Sequence, residues 1–92
     1  GKIVNIYENT SVKIDDQLYY TEKGAYYIGD IGAVEYVSSR IANSPFISPN
    51  QERAFTIISG TGKFLSCKGI GVLSSDACGK RTIVLNIEGP LL

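Results

Sequence analysis

The sequence predicts a mainly β fold: a small antiparallel domain, barrel-like or a sandwich, of five to seven short strands with at most one short helix. Three observations carry this expectation. Apolar and polar residues alternate at period two in short runs, as in Val12-Lys13-Ile14 and in Ile83, Leu85 and Ile87, the pattern of a strand with one buried face. Turn-forming residues recur at spacings of about 8–12 residues, as in small all-β domains. No heptad, internal repeat or low-complexity tract interrupts the pattern, and no apolar run approaches the ~18 residues of a membrane helix. With 92 residues the chain forms one domain, residues 1–92, and buries only about 60–65% of its unfolded surface.

The elements follow in order. Ile3 to Tyr7 is β-branched and aromatic and reads as a strand that ends in a turn over Glu8 to Ser11. Val12-Lys13-Ile14 leads to a turn at Asp15-Asp16-Gln17 and then to Leu18 to Thr21. Glu22-Lys23-Gly24 suits a three-residue hairpin loop, with Gly24 supplying the positive φ of a bulge, before Ala25 to Ile28. That register pairs Tyr19 with Tyr27 and Tyr20 with Tyr26. It places Leu18, Tyr20, Tyr26 and Ile28 on the core face and the Tyr19–Tyr27 pair on the other.

Gly29 to Gly32 breaks the alternation. Residues 33–42 fit either period: Val34, Val37 and Ile41 form a helical stripe with Asp30 as cap and Pro45 as stop, and Val37 and Ile41 also suit a strand face. The helix is the expectation adopted here. Asn43 to Gln51 reads as a loop. Phe55 to Ile58 is a strand, Ser59-Gly60-Thr61-Gly62 a turn, and Lys63 to Cys67 a strand that Ile70 to Leu73 continues after a bend at Gly69. Thr82 to Ile87 closes the domain with Ile83, Leu85 and Ile87 on one face.

Composition narrows the chemistry. Nine basic residues balance nine acidic ones, which disfavours a polycationic nucleic-acid binder. There is no histidine, the commonest acid–base group and metal ligand. No cofactor or metal site is expected. The chain begins at Gly1 without Met, so it is expected to be trimmed from a longer precursor or to carry an added residue. Cys67 and Cys78 leave two readings open: a disulfide worth about 3 kcal/mol in the chain-entropy model, or two reduced thiols. Neither has a histidine to activate it, and two sulfurs do not make a zinc site.

Two motifs resolve into turn chemistry. Ser59-Gly60-Thr61-Gly62-Lys63 resembles a phosphate loop, but Ile57 stands where the first glycine belongs and Phe64 where a Ser or Thr belongs. Asp15-Asp16 is a paired carboxylate in an exposed turn, without the burial that separates catalytic pKa values. Gly24, Gly60, Thr61, Gly62 and Gly69 are assigned as structural turn residues.

All six tyrosines lie in the first 36 residues. Tyrosine offers apolar area with a polar tip, which suits contact with protein or sugar. Tyr19, Tyr27 and Tyr36 are therefore the candidate binding residues of a non-catalytic module that engages a partner protein or carbohydrate on a tyrosine-rich hairpin face. Self-association is a second way to hide edge strands. Lys63, Lys68, Lys80 and Arg81 make a mildly basic stretch, yet the tyrosines fall in the other half of the chain. A single-stranded nucleic-acid groove, which combines the two, is the weaker alternative.

The stretch Glu52 to Phe64, with its Gly60-Thr61-Gly62-Lys63-Phe64 turn, followed by Lys68-Gly69, resembles the late hairpin of the dirigent and allene-oxide-cyclase-like β-barrels. The likeness covers residues 52–69. It implies a cup that binds an apolar small molecule and steers its cyclisation or coupling. Gly60, Thr61, Gly62, Phe64 and Gly69 carry over as turn and packing residues, and none carries the chemistry. Members of that family have eight strands and are longer than this chain.

Overall fold

The computed structural model describes residues 2–42 and 47–88. Six strands follow one another in the chain and in the sheet: β1 (Ile3–Ile14), β2 (Gln17–Ile28), β3 (Gly32–Ile41), β4 (Glu52–Gly60), β5 (Lys68–Ser75) and β6 (Arg81–Glu88). Each pairs antiparallel with the next, so the sheet order is the sequence order. The only helix among the described residues is a 3₁₀ turn, η1 (Gly62–Phe64), and none is long and apolar enough to cross a membrane.

The sheet curls without closing. Side chains of β2 (Tyr26), β3 (Val34, Tyr36), β4 (Phe55, Ile57) and the β4–β5 connection (Phe64, Cys67) form one buried cluster, and Ile83, Leu85 and Ile87 of β6 pack against it. Strands four positions apart in the sheet thus share a core on its concave side. Closure into a barrel does not occur: β1 and β6 stand at opposite ends of the sheet order and are not paired with each other. The core's centre is aromatic, with Tyr26 stacked on Tyr36 at 4.8 Å and Phe55 tilted against both, at 5.4 and 5.0 Å. The Phe55 ring lies over Gly71 on β5, where a Cβ would come within 2.1 Å of it.

Several expectations need correction. Glu22-Lys23-Gly24 is not a hairpin loop. β2 runs straight through it, with Gly24 between Tyr7 on β1 and Tyr36 on β3. A Cβ at Gly24 would lie 2.5 Å from the Ile6 carbonyl oxygen, so glycine serves close strand approach there rather than a positive φ. Glu8 to Ser11 likewise continues β1 and pairs with Tyr20 to Lys23. The hairpin turn is at Asp15-Asp16, with φ of 51° and 64°, the left-handed pair of a type I′ turn.

Residues 33–42 form β3 through Ile41 rather than a helix. Its strand period buries Val34, Tyr36 and Ser38 on one side, and partners flank it on both edges. Pro45, the expected stop, lies outside the described residues, as do Asn43, Ser44 and Phe46 of the expected loop. Lys63 to Cys67 is not a strand. Gly62, at φ 60°, opens η1, the Phe64 amide donates to the Thr61 carbonyl at 3.0 Å, and the turn drops Phe64 and Cys67 into the core. Cys67 and Cys78 form no disulfide: Cys67 is wholly buried, and Cys78 is exposed in the turn before β6.

Candidate functional site

Strand parity sorts the side chains of β1–β3 into two layers. Toward the core, β2 presents Leu18, Tyr20, Glu22, Tyr26 and Ile28, and β3 presents Val34, Tyr36, Ser38 and Arg40 opposite them. Toward solvent stand Val4, Ile6, Val12 and Ile14 of β1, Tyr19 and Tyr27 of β2, and Ile41 of β3, all exposed.

The inner layer holds a polar cluster at the edge of the aromatic core. Glu22 is buried. Its Oε2 accepts a short hydrogen bond from the Tyr36 hydroxyl, and its Oε1 lies 3.5 Å from Arg40 Nη2 and 4.0 Å from Arg53 Nη1. Asn5 Nδ2 donates both to the Tyr36 hydroxyl and to the Ala25 carbonyl, each at 3.1 Å. The Arg40 guanidinium sits 5.4 Å from the centre of the Tyr20 ring. Burial first, and then the hydrogen bond to Glu22, raise the Tyr36 pKa far above the ordinary tyrosine range. Burial also raises that of Tyr26, with the Glu22 charge adding to the effect. Two tyrosines that hold their protons so firmly are poor acid–base groups near neutral pH. The cluster joins β1, β2, β3 and β4 and acts as a brace.

Tyr36 therefore does not belong with Tyr19 and Tyr27. It is 1% exposed and stands on the opposite side of the sheet, where its hydroxyl is engaged by Glu22 and Asn5. Tyr19 and Tyr27 are 40% and 47% exposed and share the outer face, but they are not a cross-strand pair. Tyr19 pairs with Val12 and Ile41, Tyr27 with Val4 and Ala33. Eight residues apart on one strand, they are separated by roughly 27 Å.

Between them the outer face has a hollow of about 520 Å³, open to solvent and lined by Ile6, Glu8, Lys23, Ala25, Tyr27 and Glu35, among others. The small side chains of Ala25 and Ala33 leave this space beside Tyr27. Across the sheet's end, Thr61 extends the β3–β4 pairing: its amide donates to the Ala33 carbonyl at 2.9 Å, and its Oγ1 accepts from the Ala33 amide at 3.1 Å. Gly60 and Gly62 fit against Phe64 and Ile31, respectively, and Gly69 against Asn86 on β6. Among the described residues no group of three or more His, Cys, Asp or Glu could hold a metal ion.

The feature that the sequence reading missed is the continuity of β1, whose two ends it read as strand segments parted by a turn. All twelve of its residues are exposed, six of them large and apolar: Ile3, Val4, Ile6, Tyr7, Val12 and Ile14. One of its edges pairs with β2 and the other pairs with no described strand. The expected turn at Glu8 to Ser11 hid this continuous strand. Glu22, Arg40 and Arg53 were missed for a related reason, since they share a face only once β2 and β3 are read as unbroken. The chain matches no protein-family model, no curated protein and no solved structure at significance.

Proposed function

We propose that this protein is a non-catalytic interaction module that binds a protein partner on the outward side of β1 and β2. The observation that carries this reading is β1, a twelve-residue edge strand whose side chains are all exposed. Long apolar edges are aggregation hazards unless something covers them. Contiguous exposed apolar surface is likewise the ordinary mark of a protein contact.

The chemistry of the face favours a protein over a sugar. Tyr19 and Tyr27 each stand beside aliphatic side chains, Val12 and Ile41 for the first, Val4 for the second. Such a patch, next to an open backbone edge, suits apolar side chains and a docking strand. Two alternatives draw less support. A cyclase-like cup needs a cavity of ~300 Å³ or more, whereas the concave side is filled by Tyr26, Tyr36, Phe55, Ile57 and Phe64. A nucleic-acid groove needs exposed aromatic and basic residues together, whereas the guanidinium beside a tyrosine of β2, Arg40 over Tyr20, is largely buried and held by Glu22, and Lys63, Lys68 and Lys80 lie on η1, β5 and the turn before β6.

The test is the Tyr19→Ser/Tyr27→Ser double variant, immobilised beside the unaltered protein and exposed to an extract of the native host. The variant is expected to keep its circular-dichroism spectrum and thermal midpoint and to lose the partner identified by mass spectrometry. Equal retention of that partner, or collapse of the fold, would overturn the assignment of these rings to the binding face.

A further inference from the structure

We infer that the partner docked on β1 is a second copy of this chain, paired antiparallel about a two-fold axis at Asn9. This rests on the reading of the β1–β2 face as an interaction surface, and it names the occupant. The open edge can be assigned residue by residue. The Gly29 amide donates to the Lys2 carbonyl at 2.8 Å, and Ile14 and Gln17 flank the two-residue turn. Both facts place the even-numbered residues of β1 in the ladder with β2. Because bonded and non-bonded positions alternate along an antiparallel strand, the backbone groups of Asn5, Tyr7, Asn9, Ser11 and Lys13 point away from β2, along the uncovered edge.

An incoming copy must therefore match odd residue to odd residue, which leaves only even register sums and keeps outer face beside outer face. The outer side chains of β1 run Val4, Ile6, Glu8, Thr10, Val12, Ile14: two apolar, two polar, two apolar. This order reads the same in both directions about Asn9. Centred there, the pairing sets Val4 against Ile14 of the second copy, Ile6 against Val12, and Glu8 against Thr10. On the other side of the sheet Tyr7 meets Ser11 and Asn9 meets itself. Moving the axis to Glu8 opposes two like charges, and moving it to Thr10 sets Glu8 against Val12, each an unfavourable cross-strand pair. The Asn9 register alone matches every outer pair by polarity. Tyr27 then flanks one apolar quartet, and Tyr19 of the second copy flanks its far side. An isologous dimer of this kind is self-limiting because each copy has one β1 edge.

The test uses the full chain. Sedimentation from about 1 μM to about 1 mM, the range in which weak protein contacts dissociate, is expected to show a monomer–dimer equilibrium. Asn9→Pro removes an amide that faces away from β2, so the fold is expected to persist while self-association weakens at least tenfold. In a Cys78→Ser background, Asn9→Cys is expected to oxidise to a covalent dimer, because directly opposed bonded residues lie at about 5.5 Å, within disulfide range. Ser11→Cys, which the register holds roughly 14 Å from its own copy, is expected not to. A monomer throughout that range, unchanged association of Asn9→Pro, or faster cross-linking of Ser11→Cys than of Asn9→Cys would each overturn the pairing. A monomer that still captures a host protein through Tyr19 and Tyr27 would overturn the self-pairing and leave the interaction-module reading standing.

Discussion

A carboxylate placed in an apolar layer is strongly destabilising unless opposite charge and hydrogen bonds meet it, and Glu22 has both: two guanidinium groups and the Tyr36 hydroxyl. The same arrangement makes the protein sensitive to alkali. Folding raises the pKa values of Tyr36 and Tyr26 above their ordinary value of 10.0. Below that value both tyrosines are protonated whether the chain is folded or not, and they contribute no pH dependence. Above it the unfolded chain loses these protons first. Stability is therefore full below pH 10 and falls as the pH rises, by at most about 1.4 kcal/mol per unit for each of the two groups. Denaturant melts across pH 8 to 12 are expected to show this decline, and Tyr36→Phe is expected to make it shallower. Tyr36→Phe also removes the donor to Glu22, a loss of about 1–2 kcal/mol at neutral pH. Little of this was legible residue by residue. A tyrosine in a strand looks the same from sequence whether its hydroxyl meets water or a buried carboxylate.

Among the elements, the β1–β2 hairpin decides what the molecule exposes, and two adjacent aspartates form its turn. Both Asp15 and Asp16 hold positive φ, a region that glycine enters without steric cost and that is enriched in Asn and Asp among residues with a Cβ. Asp15→Asn/Asp16→Gly supplies the preferred type I′ pair and also removes two adjacent like charges. It is expected to raise stability by about 0.5–1 kcal/mol, read as a higher denaturant midpoint with an unchanged slope. The turn at Asp15-Asp16 was legible because its residue types have no other role in a strand. The supposed turn at Glu22-Lys23-Gly24 is as polar and ends in a glycine, yet it is a false one, because Gly24 answers to its neighbours Tyr7 and Tyr36 across the sheet. The facing of side chains survived that error. A three-residue loop and an unbroken strand both leave Tyr20 and Tyr26 on one side and Tyr19 and Tyr27 on the other. Period two therefore predicted the layers correctly while mispairing the strands. β3 failed differently: Val34, Val37 and Ile41 fit a helical stripe while Val37 and Ile41 also share one strand face, and the choice rests on flanking strands that no local window contains.

At the scale of the whole molecule, the governing fact is an open sheet with unequal ends. β6 is eight residues long and carries Arg81 and Glu88 at its termini, so length and charge both blunt that edge. β1 is half as long again, apolar at both ends of its outer side, and has neither proline nor bulge to deflect an incoming strand. Amide hydrogen exchange reads this asymmetry directly, since protection follows burial and hydrogen bonding. Amides of β3, flanked on both sides, are expected to be the slowest to exchange. Within β1 the expected pattern alternates: the amides of Val4, Ile6, Glu8, Thr10 and Val12 bond to β2 and are protected at every concentration. Those of Asn5, Tyr7, Asn9, Ser11 and Lys13 exchange freely in dilute solution. Self-pairing adds bonds to the second set only, so those five are expected to slow by about tenfold as the chains pair, while the first set changes little. Uniform slowing along β1 would instead point to compaction of the fold. Odd residues that stay fast at high concentration would show that the edge remains uncovered by a second chain.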